Sequence, residues 1–358
     1  MRRFRKSTIR DVAARSGVST TTVSNFVSGN VGVCSQETGT RIREAIAALQ
    51  YVPSSLTRGL RQCAAKTIGV CLPSPLDPDV SFGISFLERI WRGIVHAADQ
   101  ADYALLHYPA SVRDSGSGSA FLDGRVDAIL LSTGDNARAE RLAAAGMPTV
   151  LLTRSLEIPE GCGSVWANET DTLNLALDHL WKLGHRRIAH IAGPVGSMAG
   201  TDQPHTRPAA DIAVRRLDAY ANWMRGREAY DPSLVAFPHA WTAPQAVEYL
   251  SAWQGRTSAP TAVVCANDAQ ALDLMTAAMQ CGLTVPRDLS IIGVDNAPEA
   301  QSARPGLTSV EVPLEAIGFE AVQALLRLLA GAPLEQCRIA IPVTKLELRD
   351  SVAPAQHA

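Results

Sequence analysis

The 358-residue sequence lacks the patterns that mark several classes of protein. Its seven cysteines form no Cys-x-x-Cys pair, which disfavours a disulfide framework or a zinc site and favours reduced cytosolic thiols. No run approaches the roughly 18 apolar residues that a membrane span requires. The basic start, Met-Arg-Arg-Phe-Arg-Lys, has no apolar stretch behind it, so we expect neither a signal peptide nor a membrane anchor. The sequence therefore predicts a cytoplasmic protein with no metal or other cofactor and no membrane partner.

Catalytic motifs are missing as well. Residues 115–119, Ser-Gly-Ser-Gly-Ser, resemble a nucleophile elbow in composition only, because such a composition predicts a flexible loop with no strand behind it. The eight histidines are scattered along the chain. We therefore expect no enzymatic activity. An enzyme remains an alternative, but it would need a nucleophile or an acid/base pair that the sequence does not reveal.

Charge is distributed very unevenly. Residues 1–66 hold 11 Lys and Arg against 3 Asp and Glu, whereas the remaining residues hold 22 against 32. The formal net charge of −2 therefore hides a basic head on an acidic body. This asymmetry is expected when only one part of a protein must face a polyphosphate.

Two short helices joined by a tight turn are predicted at the start of the basic head. Thr8 and Asp11 form a capping box that begins a helix at Ile9–Ser16. Gly17 supplies the turn, and a second helix follows at 20–26. The apolar residues expected to face inward are Val12, Ala13, Val18, Val23 and Val27.

The second helix has the character of a DNA-reading helix. Ser19 can cap it, and its outward side chains are short enough to let the backbone approach base edges and phosphates. A third helix at 37–49, capped by Ser35, completes a miniature core. A chance helix pair is the alternative, which the basic charge disfavours. The outward side chains are Thr20, Thr21, Thr22, Ser24 and Asn25.

The acidic body predicts two doubly wound α/β lobes. Apolar runs such as 128–131 and 262–265 lack alternation, which indicates strands covered on both faces, as in parallel sheets under helices. Ligands in such sheets bind beyond the carboxyl ends of the strands, so two facing lobes predict a small-molecule cleft. The predicted strands are 67–72, 104–107, 126–131, 149–152, 187–192, 262–265 and 290–294, and the predicted helices are 87–98 and 172–183.

Sequence motifs along nearly the whole chain resemble the LacI/GalR family of bacterial transcriptional repressors. Each motif is weak alone, but their order and spacing together are specific. The resemblance implies an all-α helix-turn-helix domain followed by a periplasmic-binding-protein-like core. The motifs are Thr8-Ile-Arg-Asp-Val-Ala13, Gly17-Val-Ser19, Thr22-Val-Ser24, Tyr51-Val-Pro53, Arg58-Gly-Leu60, Thr67-Ile-Gly-Val70, Leu183-Gly-His-Arg-Arg-Ile188, Ala192-Gly-Pro194, Cys265-Ala-Asn-Asp268, Ile292-Gly-Val-Asp295, Arg304-Pro-Gly-Leu-Thr308 and Leu346-Glu-Leu-Arg349.

The resemblance also implies which residues contact DNA. Thr20 and Thr21 fall where the family selects operator bases, and Asn25 stands where the family usually has an Arg, so a preference for adenine over guanine is expected there. Residues 53–64 resemble the family's hinge helix, in which Leu60 would enter the minor groove and bend the duplex. An ordinary linker is the alternative for this segment. The other predicted DNA contacts are Thr8, Ser19, Thr22, Ser24, Thr57 and Arg58.

A carbohydrate effector is expected between the lobes. Arg216 matches the family's ligand-clamping Arg, and Asn267 and Asp295 follow strands, where an amide, a carboxylate and a guanidinium can hold adjacent hydroxyls. Trp166 and Trp241 fall where the family lines a sugar ring. Local capping by Asn267 and Asp295, and core packing by either Trp, are the alternatives.

Several departures from the family pattern leave the effector's identity open. Thr153 and Ala167 stand where relatives often have Asp, and Val312 stands where some relatives have a polar residue. The segment 197–212 resembles an insertion relative to the family. Whether the effector releases or promotes DNA binding also stays open. A solute-binding protein and a regulator that meets a protein corepressor are further alternatives.

The expected domain organisation follows the family. A helix-turn-helix domain at 1–52 and the hinge at 53–64 precede a core at 65–350, with a short tail at 351–358. Only that tail follows the core, without a leucine-heptad segment, so a homodimer on a near-palindromic operator is expected. Lobe one is predicted at about 65–164 and 312–341, and lobe two at 165–311 and 342–350.

Overall fold

The structure is a computed structural model that describes residues 8–27, 34–49, 64–73, 84–109, 121–132, 136–195, 211–254 and 259–356. The chain divides into two compact units. One comprises residues 1–67 with 121–127, and the other comprises 68–120 with 128–358. The predicted hinge contacts Thr57, Arg58 and Leu60 lie outside the described residues, as does most of the segment 197–212.

The first unit contains the three predicted helices. The helices are α1 (Ile9–Ser16), α2 (Thr20–Val27) and α3 (Gln36–Leu49). The prediction for α1 is confirmed at both ends, and those for α2 and α3 are confirmed to within one residue. Their buried core is the expected miniature one, formed by Val12, Ala13, Val23, Ile42 and Ala45.

The second unit contains two six-stranded sheets. In the first sheet β11, β5, β4, β3 and β1 pair in parallel, and β2 completes the order. In the second, β7, β6, β8, β9 and β10 pair in parallel and β12 lies antiparallel to β10. The strands are β1 (Thr67–Leu72), β2 (Ala104–Pro109), β3 (Ala128–Leu131), β4 (Thr149–Leu152), β5 (Cys162–Ala167), β6 (Ile188–Ile191), β7 (Val235–Ala236), β8 (Ala262–Cys265), β9 (Ser290–Val294), β10 (Thr308–Glu311), β11 (Arg338–Ile341) and β12 (Lys345–Glu347).

Helices cover these strands, as the absence of alternation predicts. Strands β3, β4, β6, β8 and β9 are buried at every residue, so neither face meets solvent. We call the first sheet with its helices lobe one, and the second sheet with its helices lobe two. The helices are α4 (Ile84–Gln100), α5 (Asn136–Ala144), α6 (Glu169–Lys182), α7 (Asp211–Arg225), α8 (Ala246–Gln254), α9 (Asp268–Gln280), α10 (Pro298–Ser302) and α11 (Leu314–Leu329), with short 3₁₀ turns at Pro232–Leu234 and Leu334–Cys337.

Helices α4 and α11 pack backbone to backbone in lobe one. A Cβ atom on Gly93 would overlap the carbonyl oxygen of Glu315, and one on Gly318 would overlap that of Ile90. Only glycine fits at these two positions, because a side-chain carbon would have to displace the neighbouring helix. The close approach buries Ile90, Ile94, Ile317 and Ala321.

Within the described ranges, no helix is both long and apolar enough to cross a membrane.

Candidate functional site

The turn between α1 and α2 is set by local hydrogen bonds. Asp11 accepts from the Thr8 backbone N–H at 2.7 Å, and the Asp11 N–H donates to the Thr8 hydroxyl at 3.4 Å. Gly17 ends α1 with φ 69°, a left-handed conformation that suits glycine. The Ser19 hydroxyl accepts from the Thr22 N–H at 3.1 Å and so caps α2. The predicted capping box and second cap are both confirmed.

The predicted contact residues of α2 differ in their exposure to solvent. Ser19, Thr20 and Thr21 are exposed at its amino end. Thr22 is half-buried and shares a 2.9 Å hydrogen bond with the Ser19 hydroxyl. Ser24 and Asn25 are also half-buried. The exposed edge of α2 is therefore an amino-terminal row of hydroxyl groups, which can donate to and accept from base edges and phosphates.

Polar residues follow adjacent strands of lobe two. Because β6, β8 and β9 are parallel neighbours, their carboxyl ends lie at one edge of the sheet. Asn267 comes shortly after β8, and Asp295 follows β9 directly. Helix α7 brings Arg216 to this edge, where its guanidinium donates to the carbonyl oxygen of Ala266.

Arg216 is the centre of a buried ionic cluster with Glu169, Asp268 and Asp295. Its side chain is 2% exposed. Its Nε donates to Glu169 Oε2 at 2.7 Å, and its Nη2 lies 3.7 Å from Asp295 Oδ1. The structure thus brings together two predicted residues, Arg216 and Asp295, and adds a third, Glu169, that the sequence reasoning missed. Glu169 is one acid in the first turn of α6, with no local pattern to distinguish it.

The carboxylates of this cluster have unusual acidities. Burial, reinforced by Asp295, raises the pKa of Asp268 to about 8, although Asp268 accepts from the Ser309 hydroxyl at 2.6 Å and the Ala297 N–H at 2.7 Å. Burial raises the pKa of Asp295 to about 7, despite the opposing effect of Arg216. Burial also raises the pKa of Glu169. Asp268 and Asp295 can therefore change protonation near neutral pH.

One atom of the cluster is left without a hydrogen bond. Asp295 Oδ1 is buried and has no hydrogen-bond partner among the described residues. A buried acceptor without a donor is costly. The described residues contain no group of three or more His, Cys, Asp or Glu arranged to hold a metal ion.

Asn267 and Trp241 form a second, tightly packed pair at the same sheet edge. Asn267 caps α9 by accepting from the Gln270 N–H at 2.9 Å, and its Nδ2 donates to the Trp241 carbonyl at 2.9 Å. Trp241 is 5% exposed. A Cβ on Gly193 would come within 2.7 Å of the Trp241 ring. The local capping and packing roles weighed for these two residues are thus present.

Trp166 lines a different cavity. Its side chain is half-buried at the end of β5 and faces a cavity of about 220 Å³. Ser155 and Trp166 contribute from lobe one, and α6 and α7 contribute from lobe two through Asn174 and Asn222. Glu169 also lines this cavity, so the Glu169–Arg216 pair joins it to the ionic cluster.

The two lobes are bridged beside this cavity. Asp211, at the start of α7, accepts from the Ser155 N–H at 2.9 Å and the Leu156 N–H at 2.6 Å. The Ser155 hydroxyl donates to Asp211 at 2.8 Å and accepts from Arg215 Nε at 3.1 Å. Ser155 and Leu156 follow β4 of lobe one, so these bonds tie the lobes together at one side of the junction.

Comparison with known proteins accounts for both parts of the chain. A model of the bacterial regulatory proteins of the lacI family matches residues 8–54. A model of periplasmic binding proteins and the sugar-binding domain of the LacI family matches 65–210, and a periplasmic-binding-protein-like domain matches 177–352. The chain belongs to the LacI family. This LacI-family protein is a DNA-binding transcriptional regulator, and the predicted fold class is confirmed.

Relatives match this LacI-family regulator along its full length. The transcriptional regulator MalR of Streptomyces coelicolor is 28% identical over 97% of both proteins, and CelR of Thermobifida fusca is 29% identical over 98% of this chain and all of CelR. A Lac repressor dimer bound to operator and an anti-inducer has 25% identity and a TM-score of 0.78 over 98% of this chain and all of that one. A CelR–cellobiose complex has 26% identity and a TM-score of 0.66, over 96% of this chain and 99% of that one.

Proposed function

We propose that this LacI-family regulator represses transcription as a homodimer on a near-palindromic operator, and that a carbohydrate bound between its lobes controls its operator affinity. The observation that carries the proposal is the buried ionic cluster. This cluster places a guanidinium at the strand ends, together with an Asp295 carboxylate oxygen that accepts no hydrogen bond from the described residues. The same chain carries the exposed helix α2, which has the character of a DNA-reading helix. The full-length similarity to an operator-bound Lac repressor dimer supports the same assignment.

On the DNA side, Thr20 and Thr21 would read bases in the major groove. Both are exposed at the start of α2, where short side chains allow a close approach. Asn25 would favour adenine at its base pair. The hinge residue Leu60 would insert at the operator centre opposite Leu60 of the partner subunit and bend the duplex.

On the effector side, Arg216 and Asp295 would hold neighbouring hydroxyl groups of the sugar. Asp295 Oδ1, which accepts no hydrogen bond from the described residues, is suited to accept from a sugar hydroxyl. Asn267 and Trp241 would complete one wall of the site. Trp166 would contribute through the adjoining cavity. The complex of CelR with cellobiose supports a carbohydrate as the ligand class.

Coupling between effector binding and operator binding would follow from the position of the effector between the lobes. A ligand that binds one lobe arrangement more tightly than the other must shift the population of lobe arrangements. In the dimer, the two hinge segments must lie side by side to order on DNA, so a changed lobe angle alters operator affinity. Ligand and operator affinities then change by the same factor.

The test is a titration of the full-length protein onto the DNA upstream of its own gene, at several salt concentrations, with and without cellobiose or ribose. We expect a footprint that is symmetric about a central step and binding that weakens steeply with salt. We also expect one sugar to change the operator Kd, and Asp295→Ala to remove that change while preserving operator affinity. A protein that stays monomeric, or that protects no symmetric site, contradicts the proposal.

We also propose that the protein acts in the cytoplasm and turns over no sugar. The measurement is product formation from cellobiose after prolonged incubation with the purified protein. A rate proportional to enzyme concentration would contradict this part of the proposal.

A further inference from the structure

Arg89 connects lobe one directly to the backbone of the effector site. It lies on α4 of lobe one, yet its Nη1 donates to the carbonyl oxygen of Asp295 in lobe two at 2.6 Å. Its Nη2 donates to the carbonyl oxygen of Val312 at 3.1 Å and lies 3.8 Å from Glu311. The Arg89 side chain is only 19% exposed, so water screens these contacts weakly. One planar guanidinium thus holds two backbone segments that meet at the lobe junction.

The backbone that Arg89 holds is in an uncommon conformation. Asp295 has φ 108° and Asn296 has φ 52°, values that residues with a side chain rarely adopt. Such conformations persist only where the surroundings hold them. Besides Arg89, the holding contacts include the Val310 carbonyl oxygen, which accepts from the Asp295 N–H at 2.9 Å, and the Ser309 hydroxyl, which accepts from the Asn296 N–H at 3.0 Å. Arg349 also donates to Asn296 Oδ1 at 2.5 Å.

The two ends of Asp295 therefore face different parts of the molecule. Its carboxylate belongs to the buried ionic cluster of lobe two, whereas its carbonyl oxygen is bound by a helix of lobe one. Helix α4 is closely packed within lobe one, because Gly93 and Gly318 bring its backbone against that of α11. A displacement of Asp295 by a ligand would then pull on lobe one through Arg89.

We propose that Arg89 is a positioning residue of the effector site: it holds the Asp295 carbonyl so that the carboxylate meets the ligand, and it transmits ligand occupancy to lobe one. This inference rests on the proposed effector function. Arg89 does not contact the ligand. Its fork of two donors is essential, because a lysine ammonium has no planar pair of donors aimed at two carbonyl oxygens at once.

The experiment compares the full-length wild type with Arg89→Gln, Arg89→Lys and Arg92→Gln. Arg92 is the matched control, because it lies one turn further along α4, is mostly exposed and pairs only with Glu315 at 3.2 Å among the contacts described. The first readout is the factor by which cellobiose or ribose changes the operator Kd. We expect this factor to fall about tenfold or more in both Arg89 variants, with sugar-free operator affinity kept within about threefold, and to be unchanged in Arg92→Gln. Dimer mass is checked for every variant by sedimentation.

The second readout needs no sugar. We expect amide hydrogen exchange at residues 293–297 to accelerate at least about tenfold in Arg89→Gln and Arg89→Lys, but not in Arg92→Gln, because the left-handed backbone loses its tie. Unchanged exchange in both Arg89 variants overturns the inference. Rescue of coupling by Arg89→Lys also overturns it, since charge alone would then suffice. If the wild type responds to neither sugar but amide exchange is still faster in the Arg89 variants, the contact between Arg89 and the Asp295 backbone is supported. The proposed effector function is then contradicted instead.

Discussion

The DNA-reading head and the effector-binding body of this LacI-family regulator organise polar side chains in opposite ways. In the head, Thr8, Asp11 and Ser19 bond to partners three residues away, and these hydrogen bonds lie at the solvent-exposed surface. In the body, Arg216 reaches Glu169 and Asp295 across gaps of 47 and 79 residues in the chain and is almost wholly buried. The head therefore depends on local hydrogen bonds in water, whereas the body depends on long-range ion pairs that water does not screen.

The largest expected effect comes from removing the centre of the ionic cluster. Arg216→Ala leaves Glu169 and Asp295 buried without their cation, which costs about 3–5 kcal/mol of unfolding free energy. Urea denaturation measures the loss. The control is Arg225→Ala on the same helix, where an exposed guanidinium lies over the Tyr230 ring and a loss below about 1 kcal/mol is expected. Equal losses would mean that the buried ion pairs of Arg216 stabilise the body no more than the exposed contact of Arg225 does.

The pH dependence of stability provides the next test. Burial holds the pKa of Asp268 at about 8, above its ordinary value of 3.8. The folded chain therefore keeps a proton that the unfolded chain releases, and stability falls as pH rises between about 4 and 8, by about 1.4 kcal/mol per unit for this group. Asp268→Asn should reduce this slope when denaturation is measured at pH 5, 6 and 7.

The matched control for that slope is Asp288→Asn. Asp288 is hydrogen-bonded to Arg287, which lowers the pKa of Asp288 to about 2. It is ionised in both folded and unfolded chains above pH 5, so its substitution should shift stability equally at all three pH values. A slope as steep in Asp268→Asn as in the wild type would show that this carboxyl group is ionised in the folded protein.

A smaller effect is expected where two helices of the body meet. Gly318→Ala inserts a methyl group against the Ile90 carbonyl, and overpacking of this kind costs about 1–3 kcal/mol. The comparison variant is Gly226→Ala, whose added carbon would meet its nearest atom at an ordinary 3.4 Å. A change in melting temperature only for Gly318→Ala is the expected result. No difference between the two would mean that α4 and α11 can separate without cost.

The smallest effect is expected in the head. Thr8→Ala removes the hydroxyl half of the capping box on α1 and should cost about 1 kcal/mol in the stability of the first unit. The experiment uses the full-length protein, and the readout is hydrogen exchange of the backbone amides at 9–13. Faster exchange of lobe two amides as well would show that the two regions are not energetically separate.

Much of the fold was predictable because its signals are local. The strands at 67–72, 149–152, 262–265 and 290–294 were predicted at both ends, since each consists largely of a short apolar run. Strand β5 was missed because Cys162-Gly-Ser begins it without an apolar run. Edge strand β11 was missed as well. It is only half-buried and alternates exposed with intermediate residues, and nothing in a four-residue segment distinguishes it from a loop.

The candidate site was predictable only in part. Arg216 was selected by resemblance to the family and Asp295 by its position after a strand, and the structure brings them together. Asp268 stands beside Asn267 in the motif Cys265-Ala-Asn-Asp268 but was not selected. Glu169 and Arg89 were not selected, because each is unremarkable among its sequence neighbours. Asn267 was selected for a ligand, but the structure shows its amide engaged in the cap of α9 and the carbonyl of Trp241. Its role with a ligand stays a prediction.

The sequence by itself determined the helix caps, the basic head and the buried strands of two α/β lobes, because these depend on residues within a few positions of one another or on summed charge. Only the tertiary structure decided which acid pairs with Arg216, which carbonyls Arg89 holds and which carboxylates titrate near neutral pH. Those properties depend on burial and on distances between residues far apart in the chain, and no local pattern records either quantity.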